Sequence, residues 1–296
     1  MQHILIPTDF SSNALNAAHY AVLLMKDEPS IFYLLNTFQI TAHHPEYLTQ
    51  ENTGTSVMEY AFENSKKGLK QLEETLKLEH KNPRHTFKKI STTGLLTDVI
   101  ENYIKKKNIE LIVMGTQGVT AEANRFIGSN MLETIKQVDC PVIAVPESYK
   151  NKVPKQLLLS TDLGEQTQNP FLQNLRAIAN LHQATINILK VNKEKQLSDE
   201  CVANMNHLET VFKDQTCVFH LVESKSVLSE IERFDNENKI DLLVMINNKR
   251  SFFKSLLSTP IVNKMVLHTK LPLLVLPSSV QHKGSAKKEE NTSKQH

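Results

Sequence analysis

The 296-residue sequence has no tryptophan, three cysteines, eight glycines and a formal net charge of only +2. Each shortage excludes something. Three cysteines, Cys140, Cys201 and Cys217, are too few and odd in number for a disulfide framework. They fit a reducing compartment, where a thiol behaves as a small apolar group. The nearly balanced charge argues against a nucleic-acid binder, which concentrates basic residues on one face. Four lysines against two glutamates in 281–296 account for the whole excess. No apolar run reaches the roughly 18 residues that a bilayer-spanning helix requires. The opening MQHILIPTDF also lacks the basic start and long apolar run of a signal peptide. The expectation is a cytoplasmic chain with neither nucleic acid nor membrane as partner.

What the sequence does contain is a repeat. ILIPTDFS (Ile4–Ser11) returns as LLLSTDLG (Leu157–Gly164), NIELIVMG (Asn108–Gly115) as KIDLLVMI (Lys239–Ile246), and CPVIAVP (Cys140–Pro146) as LPLLVLP (Leu271–Pro277). The first pair is offset by 153 residues and the other two by 131, so the second copy is 22 residues shorter in its middle. The first copy holds the polar stretch Gln39–Thr55 there.

Apolar runs at 3–8, 30–37, 86–91, 110–114 and 141–146 are of strand length. They alternate with helical stretches near 12–26, 56–79, 95–107 and 127–138, the second with Leu69, Leu72, Leu76 and Leu78 as its apolar positions. The second copy repeats the order, with strands near 155–161, 185–191, 216–222, 240–246 and 272–277. Near-continuous Val/Ile/Leu strands between helices predict an α/β fold: two tandem doubly wound parallel sheets of five strands, covered on both faces. The boundary falls at Glu147–Pro154, giving domains 1–149 and 155–280, and the polar segment 281–296 reads as a disordered tail. The two fifth strands, apolar and otherwise open to uncontrolled pairing, are expected to meet and make the chain an internal pseudo-dimer.

Because glycine is scarce, its placement carries information. Six of the eight lie in the first copy, and three of these follow the fourth strand as Gly115-x-x-Gly118, nine residues, then Gly128-Ser129. Open parallel sheets bind ligands at the carboxyl ends of their strands, beside a switch in strand order. A glycine there lets backbone approach a ligand, and Gly-Ser opening a helix offers free N–H groups, a hydroxyl and the positive end of the helix dipole to an anion. Ser129 and Asn130 stand where a phosphate would be received.

With this loop the chain resembles the universal stress protein family in its tandem form, over roughly residues 1–280. Gly115, Gly118, Gly128 and Ser129 match the family's Gly-x2-Gly-x9-Gly-Ser/Thr spacing, and Pro7-Thr8-Asp9 and Gly94 match as well. The resemblance implies a Rossmann-like fold of the adenine-nucleotide alpha-hydrolase-like kind with ATP or AMP as ligand. Asp9 and the backbone near Thr37 would face the adenosine, with Pro7 and Thr8 also in the nucleotide site. Met114, Gly115, Gly118, Gly128, Ser129 and Asn130 would surround ribose and phosphates. The nine-residue stretch holds one cation, Arg125, read as a solvated helix-start residue, and the unfavourable Glu122, whose charge a magnesium ion would offset. It further implies action through an unnamed protein partner, with a homodimer as a further assembly.

Other readings of the same residues stay open. Asp9 could simply cap the first helix. Its counterpart Asp162 persists in a copy that has Ile246, Lys249, Thr259 and Pro260 in place of Gly115, Gly118, Gly128 and Ser129. Pro260 has no N–H to offer. The second copy should therefore bind no nucleotide in this manner, and Asn247-Asn248-Lys249-Arg250 reads as a solvated loop. Cys201, His207, Cys217 and His220 match no compact zinc spacing, and strand alternation sends Cys217 and His220 to opposite faces. His43-His44 should face solvent. Nothing resembles a nucleophile elbow or a Walker loop, so any hydrolysis of ATP should be slow and the chain a sensor or regulator. A slow ATPase or self-phosphorylating protein, and an interaction protein with an empty pocket, are the alternatives.

Overall fold

The computed structural model of the protein describes residues 1–38, 57–116, 129–192, 197–247 and 270–277. Ten strands form one sheet: β1 Gln2–Pro7, β2 Ser30–Phe38, β3 His85–Thr93, β4 Leu111–Gly115, β5 Val142–Val145, β6 Gln156–Ser160, β7 Thr185–Asn192, β8 Cys217–Glu223, β9 Leu242–Ile246 and β10 Leu273–Leu276. Their order is β3-β2-β1-β4-β5-β10-β9-β6-β7-β8. Among the described residues, pairing is parallel inside each set of five and antiparallel only between β5 and β10. Each strand coincides with one read from the sequence, although the edge strands β3 and β8 mix polar residues with apolar ones. The helices are α1 Ser12–Leu24, α2 Val57–Glu79, α3 Leu96–Lys107, α4 Ser129–Gln137, α5 Leu172–His182, α6 Asp199–Val211 and α7 Val227–Asn238, with a 3-10 turn at Glu165–Gln168.

The inner strands are buried on both faces because they are apolar on both, while the edge strands β3 and β8 are partly exposed. One face packs against α1, α2, α5 and α6 through Ala17, Ala21, Leu72, Leu76, Leu175 and Leu208. The other packs against α3, α4 and α7 through Ile100, Met131, Ile135, Ile231 and Phe234. Each core draws on both repeats, so neither repeat has a core wholly its own.

The expected meeting of the fifth strands is present as direct pairing. Leu273, Leu274 and Val275 stand opposite Ala144, Ile143 and Val142. This hides two apolar edges from solvent. Tyr149 and Asp241 lock the junction: the tyrosine hydroxyl donates to the Asp241 carbonyl at 3.3 Å, and the Asp241 carboxylate accepts from the Lys155 and Gln156 amides at 2.7 and 2.9 Å. The linker 147–154 is thus anchored through Tyr149 and Pro154, both buried, while Glu147, Ser148, Lys150 and Lys152 are exposed.

Local chemistry explains the boundaries. Ser11 caps α1 by accepting the Ala14 N–H at 3.2 Å, and Ser198 and Ser226 cap α6 and α7 in the same way. In a chain short of glycine, left-handed residues ending helices are Asn108, Gln183 and Lys239, with φ near 50°. Gly94, with φ +127°, makes the turn from β3 into α3. The apolar face of α2 comprises Ala61, Leu69, Leu72 and Leu76 together with Ser65. Leu78 does not belong to it. It stands nine residues after Leu69, half a turn out of phase, and is 71% exposed.

Candidate nucleotide site at the β1–β4 switch point

Strand β1 lies between β2 and β4, so the chain leaves β1 and β4 toward opposite faces: α1 packs on one and α4 on the other. Between these exits a parallel sheet opens a crevice at its carboxyl edge. Pro7 closes β1, Thr8 is buried, and Thr37 lies near the end of β2. Met114 is buried and Gly115 ends β4, while Ser129 begins α4 and Asn130 is exposed in its first turn. The structure thus brings Pro7, Thr8, Asp9, Thr37, Met114, Gly115, Ser129 and Asn130 to one edge. Gly118 and Gly128, with Glu122 and Arg125, lie outside the described residues, as do 39–56, which include His43-His44, and the tail 281–296.

The turn after β1 is built from side chains of the sequence Thr-Asp. Thr8 Oγ1 accepts the Phe10 N–H and Asp9 Oδ1 the Ser11 N–H, each at 3.0 Å. Phe10 takes a left-handed φ of 64°, which this pair of bonds holds in place. The cap of α1 is therefore Ser11, and Asp9 braces the turn one step earlier. The second repeat forms the same turn: Thr161 Oγ1 accepts from Leu163 at 3.0 Å, Asp162 Oδ1 from Gly164 at 2.9 Å, and Leu163 has φ 56°. Thr-Asp thus has a structural task in both repeats, whatever either binds.

Gly115 is needed for a close approach. A Cβ there would stand 1.8 Å from Asn13 Oδ1, 2.7 Å from its Cγ and 3.1 Å from its backbone carbonyl carbon. The absent side chain therefore lets the first turn of α1 cross the end of β4. Among the described residues, Asn13 Oδ1 is buried without a conventional hydrogen-bond partner. Its position puts it at most about 3.3 Å from the Gly115 Cα, the range of a weak Cα–H···O contact. Farther along, Asn16 Nδ2 donates to the Pro146 carbonyl at 3.0 Å, fixing α1 to the exit of β5.

The second repeat has the same scaffold with a different filling. Asn169, the counterpart of Asn16, donates to the Pro277 carbonyl at 2.7 Å. Ile246 replaces Gly115 and is buried, and the segment corresponding to the start of α1 is the 3-10 turn Glu165–Gln168, with α5 beginning only at Leu172. An isoleucine where α1 would cross is compatible with that later start.

Sequence reading missed the second difference. Asn36 on β2 donates to the Thr8 carbonyl at 2.7 Å, whereas the residue in the matching register of β7 is Lys190, buried, whose Nζ donates to the Asp162 carbonyl at 2.5 Å. Between the first and second strands the repeat offset grows from 153 to 154, and only strand register shows that these positions correspond. Asn247, read as loop, is buried and donates to the Ile135 carbonyl at 3.1 Å. Cys217 packs on one face of the sheet and His220 on the other, against Phe234 with its Nε2 3.0 Å from Asn187 Oδ1.

The comparisons with known proteins agree with this architecture. The universal stress protein family profile matches residues 1–146 and again 155–277. A universal stress protein of Synechocystis sp. is 26% identical over 190 residues, 62% of this chain and 62% of that protein's length. One of Methanocaldococcus jannaschii is 29% identical over 150 residues, half of this chain and 83% of that protein. A crystal structure of a universal stress protein from Archaeoglobus fulgidus superposes with a TM-score of 0.67, covering 93% of this chain and 96% of that one at 15% identity. With both halves matched and one sheet built from the two, the chain belongs to the universal stress protein family, as a tandem of two such domains.

Proposed function

We propose that this is a cytoplasmic stress-response protein that binds an adenine nucleotide, ATP or AMP, in its first domain (1–149) and acts as a sensor or regulator. Each repeat is assigned to the adenine-nucleotide alpha-hydrolase-like class of Rossmann-like sheets, and the second (155–280) serves as an internal pseudo-partner. The observation that carries the reading is the contrast between the two crevices. The first has a glycine beside the β1 turn at the strand-order switch, and the second has the buried Ile246 and Lys190.

Pro7, Thr8, Asp9 and Thr37 would hold the adenosine. Met114, Gly115, Gly118, Gly128, Ser129 and Asn130 would hold ribose and phosphates, with backbone N–H groups and the helix dipole of α4 as the anion-binding elements. Magnesium is the ion that would accompany a triphosphate. This donor set contains hydroxyls, amides and one carboxylate but no lysine or arginine. Ground and transition states of hydrolysis would be held about equally, which favours retention over turnover.

Mass spectrometry of the small molecules released from freshly purified protein tests this reading. AMP or ATP in amounts near one per chain is expected. Protein that releases no nucleotide and also fails to bind added ATP or AMP would refute it.

A further inference from the structure

We propose that His19, His80 and Glu79 form a binding site for a divalent transition-metal ion of the zinc class, joining the middle of α1 to the end of α2. The proposal is independent of the nucleotide reading. His19 Nδ1 lies 2.9 Å from His80 Nε2, and His19 Nε2 lies 3.6 Å from Glu79 Oε2. One donor atom from each of the three residues lies within 4.8 Å of the others. Around a tetrahedral zinc ion with bonds of about 2.0–2.1 Å, neighbouring donors stand roughly 3.3 Å apart. His19 can give an ion only one of its two ring nitrogens, so a side-chain rotation has to bring His80 and the Glu79 carboxylate onto the same one.

The backbone favours this convergence. Glu79 is the last residue of α2 and His80 the first beyond it, its N–H still donating to the Leu76 carbonyl at 2.9 Å. Leaving helical geometry there lets two adjacent residues aim at one point, which they would not do within a helix. The carboxyl end of α2 also presents the negative pole of its dipole, which favours a cation. His19 contributes from a half-buried position while Glu79 is 56% exposed, so a fourth position remains open to water.

Two imidazoles and a carboxylate suit zinc, and also nickel or copper, better than magnesium or calcium. His80 is held below the ordinary imidazole value, first by burial and then by the His19 ring. The site lies away from the nucleotide crevice: α1 starts at the carboxyl edge of the sheet, and His19 is seven residues, about 10 Å, further along it.

Cobalt(II) is the probe, titrated into the full chain and followed by visible absorption, with zinc as competitor. Wild type should show one equivalent with the intense bands of a tetrahedral ion, displaced by zinc. Glu79→Gln, an exposed and fold-neutral change, should weaken that equivalent by about tenfold or more, and His80→Ala should abolish it. Zinc should raise the Tm of wild type but not of His80→Ala. The ten other histidines can add background, so the readout is the difference between wild type and variants. No tetrahedral spectrum in wild type would overturn the proposal, as would a spectrum and stoichiometry unchanged in both Glu79→Gln and His80→Ala.

Discussion

Gly115→Ala adds one methyl group at the point where α1 crosses β4, and its cost can be worked from the contacts. The new carbon would meet Asn13 Oδ1 at 1.8 Å and Cγ at 2.7 Å, both far inside van der Waals distance, and the Asn13 carbonyl carbon at 3.1 Å. The amide can swing away, but it is buried, and its rotation would break the weak contact it now makes. The backbone carbon has to yield by a few tenths of an ångström, carrying the first turn of α1 with it. Overpacking of this kind costs typically 1–3 kcal/mol. Asn13→Ala removes the two worst contacts, so the double variant Asn13→Ala/Gly115→Ala should recover most of the loss relative to Asn13→Ala alone. Urea unfolding of the four proteins, with ATP binding measured on each, decides the matter. A Gly115→Ala protein of unchanged stability that has lost nucleotide would refute the packing argument and assign the glycine to the ligand's path alone.

Burial holds His182 below its ordinary imidazole value, although its Nε2 donates to the Leu24 carbonyl across the repeat boundary at 2.8 Å. The unfolded chain therefore binds the extra proton first: stability is full above about pH 6.5 and falls as pH drops through the folded value. His80, His85 and His220 shift the same way. Unfolding free energy measured from pH 7.5 to 5 should decline, less steeply in His182→Gln, and a flat profile in wild type would contradict this. Ile143→Lys, placing a charge opposite Leu274 in the β5–β10 pair, should cost about 3 kcal/mol or more. Calorimetry that instead shows two independent transitions with the second unshifted would deny the shared core. Burial raises the Cys140 thiol strongly and pushes Cys217 up to about 11, so a thiolate-selective reagent at pH 8 should label neither in the folded protein.

Most strands were legible as short apolar runs, the mixed edge strands β3 and β8 less plainly, and the tandem arrangement was legible because the runs recur in order. Leu78 was misassigned because a count of leucines hides their phase, which only the spacing from Leu69 exposes. The two crevices were less legible. Thr8-Asp9 and Thr161-Asp162 look alike in sequence and form the same turn, so those letters alone cannot tell a ligand residue from a brace. Lys190 went unseen because its match to Asn36 depends on strand register. Gly115 reads in the sequence as room for a ligand; the structure adds a second reason for the glycine, the close approach of Asn13, more than a hundred residues away in sequence. The His19–His80 pair was hidden for the same reason, since only folding brings α1 and the end of α2 together.

The central claim, one nucleotide site in the first repeat and none in the second, is tested most directly by titration calorimetry of ATP and AMP into nucleotide-free protein with magnesium present. One site per chain is predicted, weakened in Asp9→Ala and unchanged in Asp162→Ala. Two equivalent sites, or a single site lost with Asp162 and kept without Asp9, would contradict the account.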